Sequence, residues 1–407
     1  MTAQAAAKEA APAAAGNEAV LKAAANKETA LKAVANKEAA LKASDSAAEK
    51  STHDSTEQKA GEEKAGERKK SFANLFNNRN SEAARANRRG FHVLYRKELA
   101  DHLTSYRFWI LFALLILVGT ASVRGAMNTL SEAAQKATEA NQSLTEYMFL
   151  LLYTTAGSSI YSFSTFLSLL GPVIGILFGF NAIRSEEAQG TLNRLAAQPI
   201  YRDTIINAKF LAGATAVCVI VFAVGGWLTG IGLLISGISP KPEEFVRVFV
   251  YLVITVIYIC TWLAIAIFFS VVTKHSATSV MICLALWLFL TLFLPLVAKG
   301  FANMVYPLTG SNATVLQQIN NMNAQAGFSR ISPAYLFGEV TSILMNPTLH
   351  SLDIMATLQS AESQVTSYLP IGQSLLQIWP QIVAMFAEMV FVFAIAYICF
   401  MKQEIRA

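Results

Sequence analysis

A chain of 407 residues that is 54% hydrophobic and only 14% charged belongs to the membrane class and not to the soluble one. Its net charge of +5 is modest, and the basic residues gather in the N-terminal tail and in short loops, so they give membrane orientation and no nucleic-acid-binding face. The four cysteines, Cys218, Cys260, Cys283 and Cys399, each lie in an apolar run without CxxC or Cys/His metal spacing, and read as small buried hydrophobes.

Residues 1–89 differ in kind from the rest. They carry a ten-residue repeat, "GNEAVLKAAA", "NKETALKAVA", "NKEAALKASD", made of strong helix formers. A period of ten turns a helix by about 1000°, short of three full turns, so Leu21, Leu31 and Leu41 do not share a face. The segment reads as a solvated, partly helical tail, followed by the disordered linker "STHDSTEQKAGEEKAGERKK". It has no Leu-rich signal region, and the N-terminus is expected in the cytoplasm.

Residues 90–107 are expected to form an amphipathic helix at the membrane surface. Phe91, Tyr95, Leu99, Leu103 and Tyr106 fall within about 120° of a helical wheel, with Arg96, Lys97, Asp101 and Arg107 opposite, facing lipid headgroups. Six apolar runs then reach the length of about 20 residues that a span needs: Phe108 to Met127, Ile160 to Ile183, Phe210 to Ile238, Val248 to Thr273, Ala277 to Ala298 and Ile378 to Met401. Gly225, Gly226, Gly230 and Gly232 predict close helix approach in the third. Pro172 and Pro295 should kink or break their spans. The fold class is thus all-α: a polytopic protein with six transmembrane helices, an interfacial helix and a disordered tail.

Loop charges set the orientation. Arg88, Arg89, Arg96 and Lys97 precede span one. Arg184, Arg194, Arg202 and Lys209 lie between spans two and three. Lys274, Lys402 and Arg406 share that side, whereas the long loop 299–377 holds only Lys299 and Arg330. Both termini are therefore expected in the cytoplasm. Within the outer loop, "ISPAYLFGEVTSILMNP" predicts a short amphipathic helix against the outer membrane face, with Ser332 as N-cap, Pro333 at the first position and Pro347 as the stop.

The chemistry of nucleotide and zinc sites is absent from the sequence, which contains no GxxxxGK[ST] and no HExxH. No catalytic residue and no metal ligand is assigned. Glu388, about ten residues into the last span, is an intramembrane polar candidate, facing either a cavity or a neighbouring helix.

The longest charged interruption of the apolar region is "RSEEAQGTLNRLAAQPIYRDTIINAK", from Arg184 to Lys209. Gly190 breaks the preceding helix, Thr191 can cap a new one, and Leu192, Leu195 and Ala196 make a small apolar face. Pro199 ends it. Glu186 and Glu187 stand just before it, and Arg202 just after. Such an element either fills a groove on another protein or serves only as a basic loop; residues alone leave both readings open.

The series Glu186, Gly190, Thr191, Leu192, Pro199, Ile200, Arg202 and Lys209 resembles the coupling region of ABC-2 type permeases, the membrane subunits of ABC transporters. "YRKELADHLTSYRFW" is similar to the family's connecting helix before span one. The Ser-Pro segment around Pro333 is similar to that of the branch of gliding-motility and copper-enzyme-maturation permeases. The likeness covers residues 91–407, and the repeat tail departs from it.

The resemblance implies a six-span permease domain over residues 108–407, most simply an exporter in a bacterial cytoplasmic (inner) membrane. It implies a second permease chain, identical or related, and membrane lipids around the pair. It also implies a separate ABC ATPase subunit that carries ATP and Mg, with no cofactor on this chain and no enzyme activity of its own. Glu186, Glu187, Gly190, Thr191, Leu192, Leu195, Pro199 and Arg202 are the expected coupling residues. An intramembrane enzyme using Glu388, or a scaffold acting through the tail, are the alternatives.

Overall fold

The computed structural model describes residues 88–139, 147–190, 201–237, 240–308, 314–349 and 368–403. The repeat tail lies outside them. Among the described residues every regular element is helical. Helix α1 covers residues 88–104. It is followed by α2 (Tyr106–Glu139), α3 (Met148–Thr154), α4 (Phe163–Gly179), α5 (Arg184–Ala188), α6 (Arg202–Ser236) and α7 (Pro242–Val272). Then come α8 (Ser276–Leu288), α9 (Leu294–Val305), α10 (Val315–Ser329), α11 (Pro333–Met345) and α12 (Ile371–Lys402).

Six of these stretches are long and apolar enough to cross a membrane: Tyr106–Lys136, Phe163–Ala188, Arg202–Ser236, Pro242–Val272, Ser276–Val305 and Ile371–Lys402. They match the six expected spans. The third begins earlier than its apolar run, because Tyr201 is an extended N-cap and Asp203, in the first turn, accepts the Thr204 N–H at 2.8 Å.

Helix α1 is amphipathic, as its sequence predicts, but the details differ. Leu94 and Glu98 are buried, with Phe91, Tyr95, Leu99 and Leu103 packed beside them. The helix breaks at Ser105, whose carbonyl accepts from the N–H groups of Phe108 and Trp109. Tyr106 therefore falls beyond the break and is 87% exposed, off the face assigned to it.

Helix α7 is the centre of the bundle. Its apolar stretch is mostly buried, whereas the Ser276–Val305 span and α12 turn most of their surface outward. Its close neighbour is α4. A methyl group at Gly175 would stand 2.6 Å from the Ile259 carbonyl oxygen and 2.8 Å from the Leu263 nitrogen, so the two backbones touch there. Gly171 and Gly179 make the same approach to Tyr258 and Ala266. Close packing was expected of the third span instead. There Gly225 meets Leu252 tightly, Gly232 has ordinary contacts, and Gly226 and Gly230 face open space. Gly175→Ala is expected to lower stability by about 1–3 kcal/mol, because backbone must shift. Gly226→Ala should stay within about 0.5 kcal/mol. Thermal unfolding of both variants in mild detergent checks this.

Neither proline breaks its span. Helix α4 continues through Pro172, and the Ser168 carbonyl, which loses its helical donor to the proline, accepts the Tyr258 hydroxyl at 2.8 Å. Before Pro295 the helix widens into a π turn, Phe289–Phe293, that joins α8 to α9.

Helix α11 is a correction to the sequence reading. It is bounded by Pro333 and Met345 as expected, yet it does not lie against the membrane face. Leu336, Phe337, Val340, Ile343, Leu344 and Met345 are all buried, and the helix packs against α7 and α12 inside the bundle. Phe337 stacks on Tyr258, ring centroids 4.5 Å apart. Glu339 is tolerated because Arg330 pairs with it at 3.0 Å and Gln381 of α12 donates to it at 3.3 Å. Ser332 makes no side-chain cap; its carbonyl accepts from the N–H groups of Tyr335 and Leu336 instead.

Candidate functional site

The charged strip between spans two and three is described on both flanks, residues 184–190 and 201–209. Thr191, Leu192, Leu195 and Pro199 lie outside the described residues. Gly190 has φ +68, the left-handed conformation that ends α5.

The first flank is tied to the far end of α7. The N–H groups of Ile183 and Arg184 donate to Ser270 Oγ at 3.1 and 3.4 Å. Arg184 Nη2 donates to the Val271 carbonyl at 3.2 Å, while Nη1 pairs with Glu187. Ser276 donates to Asn181 Oδ1 at 2.7 Å, which adds the start of α8. The second flank is tied to the end of α12. Arg202 Nη2 donates to the Gln403 carbonyl at 2.7 Å, and its guanidinium lies 5.7 Å from the centre of the Phe400 ring.

Between the flanks sits a buried ion cluster. Lys209, counted from sequence as a loop charge, lies on α6 and is only 3% exposed. Its Nζ pairs with Glu98 of α1 and Glu186 of α5, each at 3.0 Å. Lys97 closes the cluster from outside, at 3.1 Å from Glu98 and 3.5 Å from Glu186. The sequence reading placed Lys97 toward lipid headgroups; these carboxylates draw it onto the protein instead. Glu186 is thus turned inward, whereas the Glu187 side chain is 44% exposed.

Burial alone would push the Glu98 carboxyl up, but the Lys209 and Lys97 ammoniums outweigh it and hold it below the usual carboxylate range. Burial holds the His102 imidazole below its ordinary value. A polar groove of about 630 Å3 opens beside the cluster, bordered by Asp101, His102, Arg107, Asn181 and Gln189.

Glu98 is the residue the sequence reading missed, and a signal was present. It falls on the buried stripe of Phe91, Leu94, Tyr95, Leu99 and Leu103, where a carboxylate needs a partner. A second polar node, at the other end of α7, was also missed. Arg247 is fully buried and bonds Glu243, Ser374 and the carbonyls of Leu344 and Leu369. Glu243 in turn accepts from Tyr147 and from the Ile371 N–H. Glu388 belongs to neither node. It is half-buried on α12, and its Oε2 has no hydrogen-bond partner among the described residues. Also among the described residues, no group of His, Cys, Asp and Glu could hold a metal ion.

The described flanks of the strip are fastened to α1, α6, α7 and α12. Residues 92–405 match the profile of a family described as ABC-2 family transporter protein. No curated protein matches the chain.

Proposed function

The chain belongs to the ABC-2 family of transporter proteins, and from that premise we propose that it receives ATP-driven motion through the strip from Arg184 to Lys209. As a family member with six membrane-spanning helices, it is a multi-pass permease subunit. The family pairs such subunits with a separate ABC ATPase. On our reading the strip and both termini face the cytoplasm of a bacterium, and the direction of transport is export. Residues 1–89 form the cytoplasmic tail, residues 90–107 the connecting helix and residues 108–407 the permease domain. A second permease chain completes the pathway, and its surface together with lipid covers the apolar faces of α8, α9 and α12.

One observation carries this reading. The strip's flanks are bonded to different helices: the first to the end of α7 and, through Glu186 and Lys209, to α1 and α6; the second to the end of α12. A displacement of the short segment between Gly190 and Tyr201 would therefore reach four helices at once. ATP binding then needs only to favour one membrane conformation through differential contacts there. Glu187 and Leu195 are the residues we assign to the ATPase surface. Glu186 acts behind them, as an anchor.

The test is the purified complex with its ATPase subunit in nanodiscs. Leu195→Asp and Glu187→Lys are each expected to cut transport-coupled ATP hydrolysis roughly tenfold, as loss of one docking contact does. Membrane insertion should be unchanged in both, and thermal unfolding unchanged in Leu195→Asp and lowered only slightly in Glu187→Lys, which gives up the partly exposed pair with Arg184. Full coupling in both variants would refute the assignment.

A further inference from the structure

At the end of the bundle opposite Lys209, a cavity of about 520 Å3 opens between the end of α3, the first turns of α4 and one edge of α11. That volume lies within the range of small-molecule sites. Eight of its thirteen lining residues carry hydroxyls, Thr155, Ser164, Thr165, Ser168 and Ser342 among them; Leu151, Phe337 and Leu349 add apolar surface, and none of the lining residues is ionisable. The one carboxylate on α11, Glu339, is engaged elsewhere by Arg330 and Gln381.

Gly338 is the second observation. It lies in the interior of α11, between the buried residues Phe337 and Glu339, and is itself exposed to the cavity. A Cβ there would meet nothing within 4 Å. It shows no left-handed backbone and no close packing, and glycine costs a helix roughly 1 kcal/mol relative to alanine. The space a larger side chain would take there is part of the cavity. The hydroxyls are also held in place: Ser162 caps α4 and bonds the hydroxyls of Ser164 and Thr165 at 3.1 and 2.8 Å.

We propose that this cavity binds a neutral, hydroxyl-rich ligand, of the class of a small sugar or a sugar-bearing lipid headgroup. A charged ligand would find no counter-charge on the wall, and a wholly apolar one would strip water from the hydroxyls without replacing it, whereas a sugar ring offers C–H faces to Leu151, Phe337 and Leu349 as well as hydroxyls. A polyol satisfies donors and acceptors alike. The proposal stands apart from the coupling reading, since it uses none of the residues of the strip.

The test uses the full chain in phosphatidylcholine nanodiscs prepared without glycoside detergents. Sucrose probes the free-sugar source by saturation-transfer NMR. Nanodiscs doped with neutral galactosyl diacylglycerol probe the lipid source by native mass spectrometry. Glucose 6-phosphate is the charged control. One neutral probe is expected to bind, and which one does identifies the source. Gly338→Leu, which fills the cavity from an open position, should weaken that binding at least roughly tenfold, with unchanged thermal unfolding. Should Gly338→Leu not fold, Thr165→Val combined with Ser342→Ala removes two hydroxyls at nearly constant volume and is held to the same loss. The proposal is overturned if neither neutral probe binds, if glucose 6-phosphate binds equally well, or if a folded cavity variant binds as tightly as the natural chain.

Discussion

Lys209→Met is expected to destabilise the folded chain by about 3–5 kcal/mol, the range for removing one partner of a buried ion pair. The reason lies in what is left behind. Glu98 and Glu186 would face each other with only Lys97 between them, and the Lys97 side chain is 53% exposed. Two largely buried carboxylates then share one hydrated cation. The charge, more than the lost packing, sets the size of the effect. Adding Glu98→Gln and Glu186→Gln to Lys209→Met should therefore recover most of the loss. Thermal unfolding in mild detergent measures both steps; a single variant as stable as the natural chain would refute the argument. Acid should act on the same cluster. The Glu98 carboxyl is held below its ordinary value in the fold, so its contribution is fully present above the unfolded value of about 4.3 and lost as pH falls through the folded one. The natural chain, but not the triple variant, should lose that stability on acidification.

The cluster shows why the spans were legible in the sequence and their anchors were not. A run of about 20 apolar residues has few fates besides crossing a membrane, so all six spans could be read directly. A lone charge near a span end is ambiguous. Lys209 reads as a loop charge by the orientation rule, and only its partners, 23 and 111 positions away in sequence, make burial affordable. Helix α11 failed for a related reason. An apolar stripe with one carboxylate describes a surface helix equally well as a buried one, and the choice was made by Arg330 and Gln381. Of the candidate site, the helix break at Gly190 was legible, because one residue fixes it. The inward turn of Glu186 was not, because it depends on α1 and α6 arriving at the same place.

Arg247 carries the second large expected effect. Its guanidinium makes five hydrogen bonds, as many as it has N–H groups: two to Glu243, one to Ser374 and one each to the carbonyls of Leu344 and Leu369. The Leu344 carbonyl belongs to the last turn of α11, which has no helical donor and favours a cation. Leu369 stands just before α12, whose first N–H, at Ile371, donates to Glu243 at 2.9 Å. One side chain of α7 thus closes the end of α11 and fixes the entry of α12. Arg247→Met should cost about 3 kcal/mol, the lower part of the range for a broken buried pair, since Glu243 keeps Tyr147 and Ile371 as donors and is partly exposed. Arg247→Lys should recover less than half of that, because a single ammonium cannot reach four separated acceptors. Hydrogen exchange locates the damage: amides of residues 333–345 and 371–378 should exchange faster in both variants, while those of α1 and α6 beside Lys209 stay protected. If Arg247→Lys matched the natural chain in unfolding and exchange, the charge alone would matter, and the latch geometry would be wrong.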